Sequence, residues 1–206
     1  MKKTNLNNIP TSPLLIVLSG PSGAGKDAVL NQMKRTGYPA RFIITNTTRP
    51  KRANEKDNVD YKFVPETDFR KMLEDNELLE YANVYGNWYG VPKAPVREAL
   101  AAGMDTIVKV DVQGAATIKK IVPEAVFIFL TCPTEEELES RLRERKTESE
   151  VDCDLRLKTV TEEMKQLHLF DYVVFNERDE IERAAETIAA IITAEKCRRS
   201  PRKISL

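Results

Sequence analysis

Apolar and polar positions change period along this chain, and the changes divide it into elements. The run LLIVL (14–18) is apolar throughout and β-branched at its centre, the pattern of a strand buried on both faces of a parallel sheet. DTIVKVDV (105–112), EAVFIFLT (124–131) and DYVVFN (171–176) have the same character. Helical spacing appears in KDAVLNQMKR (26–35), with Ala28, Val29, Leu30 and Met33 apolar, and in APVREALAAG (94–103). It returns in TEEELESRLRERK (134–146), DLRLKTVTEEMKQL (154–167) and EIERAAETIAAIITAEK (180–196). Strands alternating with helices predict an α/β fold, a parallel sheet flanked by helices. The segment 42–91 reads differently, with short β-like pieces in RFIITNTTR (41–49) and DYKFV (60–64), one helix in ETDFRKMLEDN (66–76) and Gly/Asn turns. It is expected to be a lobe inserted into the α/β core. The helix from Thr134 is charged nearly all round, with Glu137 and Arg141, and Glu139 and Arg143, at i,i+4 spacing. Such a helix is either a solvated face or a flap whose arginines reach a substrate.

At 206 residues the chain can bury one substantial core and carry insertions. Its 32 basic and 32 acidic residues balance, so no global field favours nucleic acid or a membrane surface. The basic run KCRRSPRK (196–203) is expected to be a solvated, disordered tail. Cys132, Cys153 and Cys197 are odd in number and form no CxxC pair, which suits reduced thiols in the cytoplasm. His168 is the only histidine, which excludes a metal site built on several histidines. The N-terminus MKKTNLNNIPTSP lacks an apolar leader pattern, and no stretch approaches a membrane span.

The chemistry begins directly after LLIVL, in GPSGAGKD (20–27). Gly20, Gly23 and Gly25, spaced by Pro21, Ser22 and Ala24, permit positive φ. Successive backbone N–H groups can then face an anion at a helix N-terminus. Lys26 adds a point charge for the outer phosphates of a nucleotide. The bland alternative is a glycine-rich strand-to-helix turn. Asp27 is the odd letter, because such loops place Ser or Thr there for a metal ion.

With GPSGAGKD, TNTTRPKRANEKDNVDYKFV (45–64), ELLEYANVYGNWYG (77–90), VDVQGA (110–115) and RLRERKTESE (141–150) in this order, the chain resembles guanylate kinases over about residues 14–195. The resemblance implies a P-loop NTPase-type parallel sheet with an inserted GMP-binding lobe and a helical lid. The implied reaction transfers the γ-phosphoryl of ATP to GMP, and to dGMP, with Mg²⁺. On that basis the polar N-terminal tail is 1–13, the core 14–41, 92–133 and 165–196, the lobe 42–91, the lid 134–164 and the basic tail 197–206. A monomer or homodimer is expected, with neither membrane nor nucleic acid as partner.

Guanine presents adjacent N–H donors, and a carboxylate offers two acceptors in matching geometry. Glu80 matches the family residue for this, and Thr45 the hydroxyl facing the guanine carbonyl. Without the resemblance, Glu80 reads as a solvated glutamate. Arg49, Arg52, Tyr61 and Tyr89 match the clamp on the GMP phosphate, a dianion suited to arginine forks. Arg141, Arg145 and Arg156 match the lid arginines that neutralise the transferred group. Asp111, at the carboxyl edge of a strand, resembles a carboxylate orienting Mg²⁺ water or the lobe, and Asn176 an adenine-side contact on the ATP site.

Three positions leave the family pattern: Asp27, Lys109 where an acidic residue is usual, and Val91 where a small hydroxyl is usual. Val91 is expected to remove one hydrogen bond to guanine. Lys109 and Asp111 share a strand face, so Lys109 could cancel the charge of Asp27. Asp27 could instead ligate Mg²⁺ directly, or serve only the macrodipole of the helix it opens. Two other functions stay open: a non-catalytic phosphopeptide-binding module built on the same lobe, and a P-loop kinase acting on a sugar phosphate.

Overall fold

The computed structural model describes residues 12–53, 55–144 and 159–206. In chain order the first half forms β1 (Leu15–Ser19), α1 (Lys26–Arg35), β2 (Arg41–Phe42), β3 (Asn46–Thr47), β4 (Lys62–Phe63), α2 (Glu66–Glu74), β5 (Leu78–Val84) and β6 (Asn87–Pro92). The second half forms α3 (Lys93–Ala101), β7 (Thr106–Lys109), α4 (Val112–Ile121), β8 (Val126–Thr131), α5 (Glu135–Arg143), β9 (Tyr172–Phe175) and α6 (Ile181–Lys196). Residues 159–164 are helical and run into a 3-10 turn, Lys165–Leu169.

The core sheet is parallel, in the order β2-β7-β1-β8-β9. Its central strand explains the unbroken apolar run. Leu14, Ile16 and Leu18 pack with Val29 and Met33 of α1 and with Ile188 and Ile192 of α6. Leu15 and Val17 pack on the other face with Val108, Ile118 and Phe127. Each such side chain contributes about 1.5 to 3 kcal/mol of burial.

The piece read as one β-like stretch, 41–49, is divided between two sheets. Arg41 and Phe42 pair with Thr106 and Ile107 in the core, whereas Asn46 and Thr47 pair with Lys62 and Phe63 on one side and Gly90 and Tyr89 on the other. The lobe is thus a second sheet, β4-β3-β6-β5, with α2 pressing fully buried Phe69 against Trp88 in a stacked pair at 6.0 Å. α4 has no counterpart among the predicted helices. Gly114 and the β-branched Val112, Thr117, Ile118 and Ile121 weaken its propensity. Burial of Ala115 and Ile118 against the sheet, and the Asp111 cap accepting from Gly114 N at 2.7 Å, settle the helix instead.

The C-terminal segment corrects the expectation of disorder. Arg202 donates to both oxygens of Glu195, at 2.7 and 3.1 Å, and to the carbonyl of Ala125 at 3.0 Å. Ile204 and Leu206 pack against the core cluster of Leu15 and Phe127. A buried carboxylate that needs a partner, plus two apolar residues, holds the tail despite its basic composition. Replacing Arg202 with alanine leaves Glu195, with a side chain 1% exposed, short of its bidentate cation. The expected loss is about 2 to 4 kcal/mol, seen as a melting temperature lower by about 5 to 10 °C. An unchanged melting curve would refute the clasp.

Candidate functional site

β1 delivers the chain to the glycine-rich loop, and α1 leaves it with Lys26 as its first residue. Gly25 sits at φ 88°, and a Cβ there would collide with the Asn176 amide, so only glycine fits. Asn176 Nδ2 donates to Ala24 O at 2.8 Å, and the Asn176 carbonyl accepts from Arg141 Nη2 at 2.9 Å. Both residues therefore brace the loop, and neither is among the residues lining the central cavity. Lys26 Nζ folds back onto Gly20 O at 2.5 Å and Pro21 O at 2.9 Å. Burial pulls its pKa below the usual lysine range, with the charge of Glu163 opposing.

The cavity beside this loop has a volume of about 320 Å³ and is walled on its far side by the lobe. There Arg49 Nε donates to the Tyr89 hydroxyl at 3.2 Å, and its Nη2 donates to Glu55 at 2.7 Å. Glu55 also accepts from Arg52 N at 2.8 Å. The Arg49 guanidinium lies 5.6 Å from the centroid of Tyr61, whose ring meets Tyr89 edge-on at 5.9 Å. Arg49, Arg52, Tyr61 and Tyr89, the residues expected to form a clamp, thus converge on the cavity, together with Thr45, Glu80 and Asp111.

Glu80 is 3% exposed, its Oε2 has no hydrogen-bond partner among the described residues, and its pKa is pushed up to about 8 by burial and then by the charge of Asp111. A Cβ on Gly114 would come within 2.6 Å of that oxygen, so the glycine leaves room for the carboxylate. Thr45 Oγ1 donates to Lys109 O at 3.3 Å. One oxygen of Asp111 caps α4, and burial raises its pKa against the pull of the Gly114 N–H and Lys26.

Asp27 and Lys109 form an ion pair, as the charge-compensation reading expects. Lys109 Nζ also sits 3.9 Å from the Tyr61 ring centroid. Val91 is fully buried among Leu79, Val96 and Ala115 and does not line the cavity. Its side chain is thus held in the apolar packing between β6 and the core.

The lid reading lies partly outside the described residues, which include neither Arg145 nor Arg156. On α5 the pairs Glu137–Arg141 and Glu139–Arg143 both form. Two acidic residues escaped the sequence reading. Glu55 orients Arg49, and Glu163 lines the cavity near Lys26. Burial raises the Glu163 pKa to about 7, with Lys26 and the Ser22 N–H opposing and Asp111 adding to the rise. Nothing in TEEM distinguishes Glu163 from exposed Glu162; only the fold turns one inward.

Among the described residues no trio of His, Cys, Asp or Glu is placed to hold a metal ion by itself. A magnesium ion carried on nucleotide phosphates needs only one or two protein carboxylates and water. Asp27, directly after Lys26 on the cavity wall and 58% exposed, is a donor of that kind.

The sequence profile of guanylate kinase matches residues 12–195. The chain belongs to the guanylate kinase family. It is 43% identical over 198 residues to guanylate kinase 2, chloroplastic/mitochondrial, of Oryza sativa subsp. japonica, covering 96% of this chain and 70% of the relative. It is 41% identical to the guanylate kinase of Carboxydothermus hydrogenoformans, covering 93% of this chain and 92% of the relative. The crystal structure of guanylate kinase from Anaplasma phagocytophilum superposes with a TM-score of 0.74 at 29% identity, covering 92% of this chain and 89% of that one. No helix among the described residues is long and apolar enough to cross a membrane.

Proposed function

We propose that this guanylate kinase family member transfers the γ-phosphoryl group of ATP to GMP or dGMP in a Mg²⁺-dependent reaction, giving ADP and GDP or dGDP. The observation that carries the reading is one cavity walled by the glycine-rich loop and Lys26 on one side and by Arg49, Tyr61, Tyr89 and Glu80 on the other. A donor polyphosphate and an acceptor monophosphate can face each other across it.

The loop amides of Gly20 to Gly25 cradle the donor phosphates, and Lys26 exchanges its two loop carbonyls for phosphate oxygens. Arg49, held by Glu55, and Arg52 fork the acceptor phosphate, with the hydroxyls of Tyr61 and Tyr89 beside them. Glu80 and Thr45 receive the guanine edge. Asp27, with Asp111 nearby, would hold Mg²⁺, which supplies charge neutralisation on the phosphates. Arg141, Arg145 and Arg156 would bring lid charge to the transferred group. Phosphoryl transfer then needs alignment and electrostatic stabilisation more than covalent chemistry. The free thiols of Cys132 and Cys197 suit a reducing cytoplasm.

The test is ADP formation with Mg-ATP and GMP, dGMP, AMP or UMP in parallel. Turnover confined to GMP and dGMP is expected. A folded protein that phosphorylates none of them would overturn the reading and favour the phosphopeptide-binding module.

A further inference from the structure

We propose that Lys109 is a further binding residue for the acceptor's phosphate, and that Asp27 holds it back until the donor nucleotide loads the loop. The proposal rests on the phosphotransfer reading above.

Position is the first support. Lys109 ends β7 in register with Leu18 of β1, and its carbonyl accepts from Thr45 of the lobe. Its backbone is thus fixed where the loop strand and the lobe meet. The ammonium then reaches in two directions, to Asp27 on the first turn of α1 and over the Tyr61 ring at 3.9 Å. The same ring carries the Arg49 guanidinium at 5.6 Å. Lys109 therefore stands one aromatic ring away from Arg49, with a side chain 11% exposed inside the same cavity.

Charge supplies the switch. Asp27 is 58% exposed beside Lys26, where a polyphosphate and its divalent cation arrive. A divalent ion is a stronger partner for a carboxylate than an ammonium ion. Once Asp27 changes partner, Lys109 keeps the Tyr61 face and gains the acceptor's dianion as its nearest counter-charge. Its flexible stem needs only rotamer changes to turn. Linkage makes the effect reciprocal, so acceptor binding favours donor binding to the same degree.

Isothermal titration calorimetry tests this by measuring the GMP dissociation constant alone and with a saturating non-hydrolysable ATP analogue plus Mg²⁺. In the wild type the analogue is expected to tighten GMP about fivefold. Lys109→Met should bind GMP weakly under both conditions and lose that enhancement, whereas Lys109→Arg should retain it. Asp27→Asn should bind GMP without the analogue as tightly as the loaded wild type does. Because Asp27 is mostly exposed, this variant keeps the proposal testable where methionine at 109 disturbs folding, which thermal melts report. Full enhancement in a folded Lys109→Met protein, or an unchanged analogue-free constant in Asp27→Asn, would overturn it. A wild type that binds GMP without enhancement overturns this proposal alone; one that never binds GMP overturns the phosphotransfer reading.

Discussion

Replacing Lys26 with methionine is expected to lower kcat/KM for ATP and GMP by about a thousandfold while leaving the melting temperature nearly unchanged. Methionine keeps the length and apolar stem but removes the charge. The phosphates would lose a pre-positioned donor in a cavity where water screens poorly, and such donors are worth about 100-fold to 1000-fold in rate. The folded state loses little, because the two carbonyls that Lys26 contacts belong to its own loop, Gly20 and Pro21. Burial already disfavours the lysine's charge, which further limits the stability it contributes. Steady-state kinetics and a thermal melt decide the matter. A loss below about tenfold would mean that the loop amides alone carry the phosphates.

The readable parts of the sequence were those governed by one local cause. KDAVLNQMKR is helical over the predicted residues because glycine precedes it and its apolar face meets β1. The central strands β1 and β8 announced themselves because both faces of the sheet are covered there, so no polar residue interrupts LLIVL or VFIFL. α4 was hidden because its sequence is a poor isolated helix that burial makes favourable. The tail was misread for a related reason: composition registers its charges but not the buried glutamate that Arg202 neutralises.

The same contrast holds at the site. Residues in GPSGAGKD could be nominated because glycine spacing carries their chemistry in the letters, whereas Arg49 and Arg52 in TTRPKR were nominated through the family resemblance. Glu163 could not, since its role depends on which face of residues 159–164 turns toward Lys26. The Asp27–Lys109 pair lies between these cases. Strand alternation anticipated the side on which Lys109 projects, but its contact with Tyr61 required the lobe to be in place.

Glu80→Gln should raise the KM for GMP by about a hundredfold and remove the pH dependence of GMP binding. A guanine edge offers two donors, and an ionised carboxylate accepts both, whereas an amide meets one of them with a donor of its own and leaves it unpaired in a buried site. In the unliganded protein Glu80 has a pKa of about 8, raised by burial and then by Asp111, so at neutral pH it is mostly protonated. Guanine favours the ionised form, so binding should release a proton below about pH 8, and GMP affinity should rise with pH up to that value and then level. Calorimetry in two buffers of different ionisation enthalpy measures that proton directly. The unliganded fold has the opposite dependence. Because Glu80 keeps its proton in the folded state up to about 8 but loses it near 4.5 when unfolded, its contribution makes stability fall as pH rises between those values. The glutamine variant lacks this fall, so at pH above 8 it should melt higher than the wild type while binding GMP worse. A variant that binds GMP as tightly as the wild type, with no proton released by either protein, would remove Glu80 from the base site.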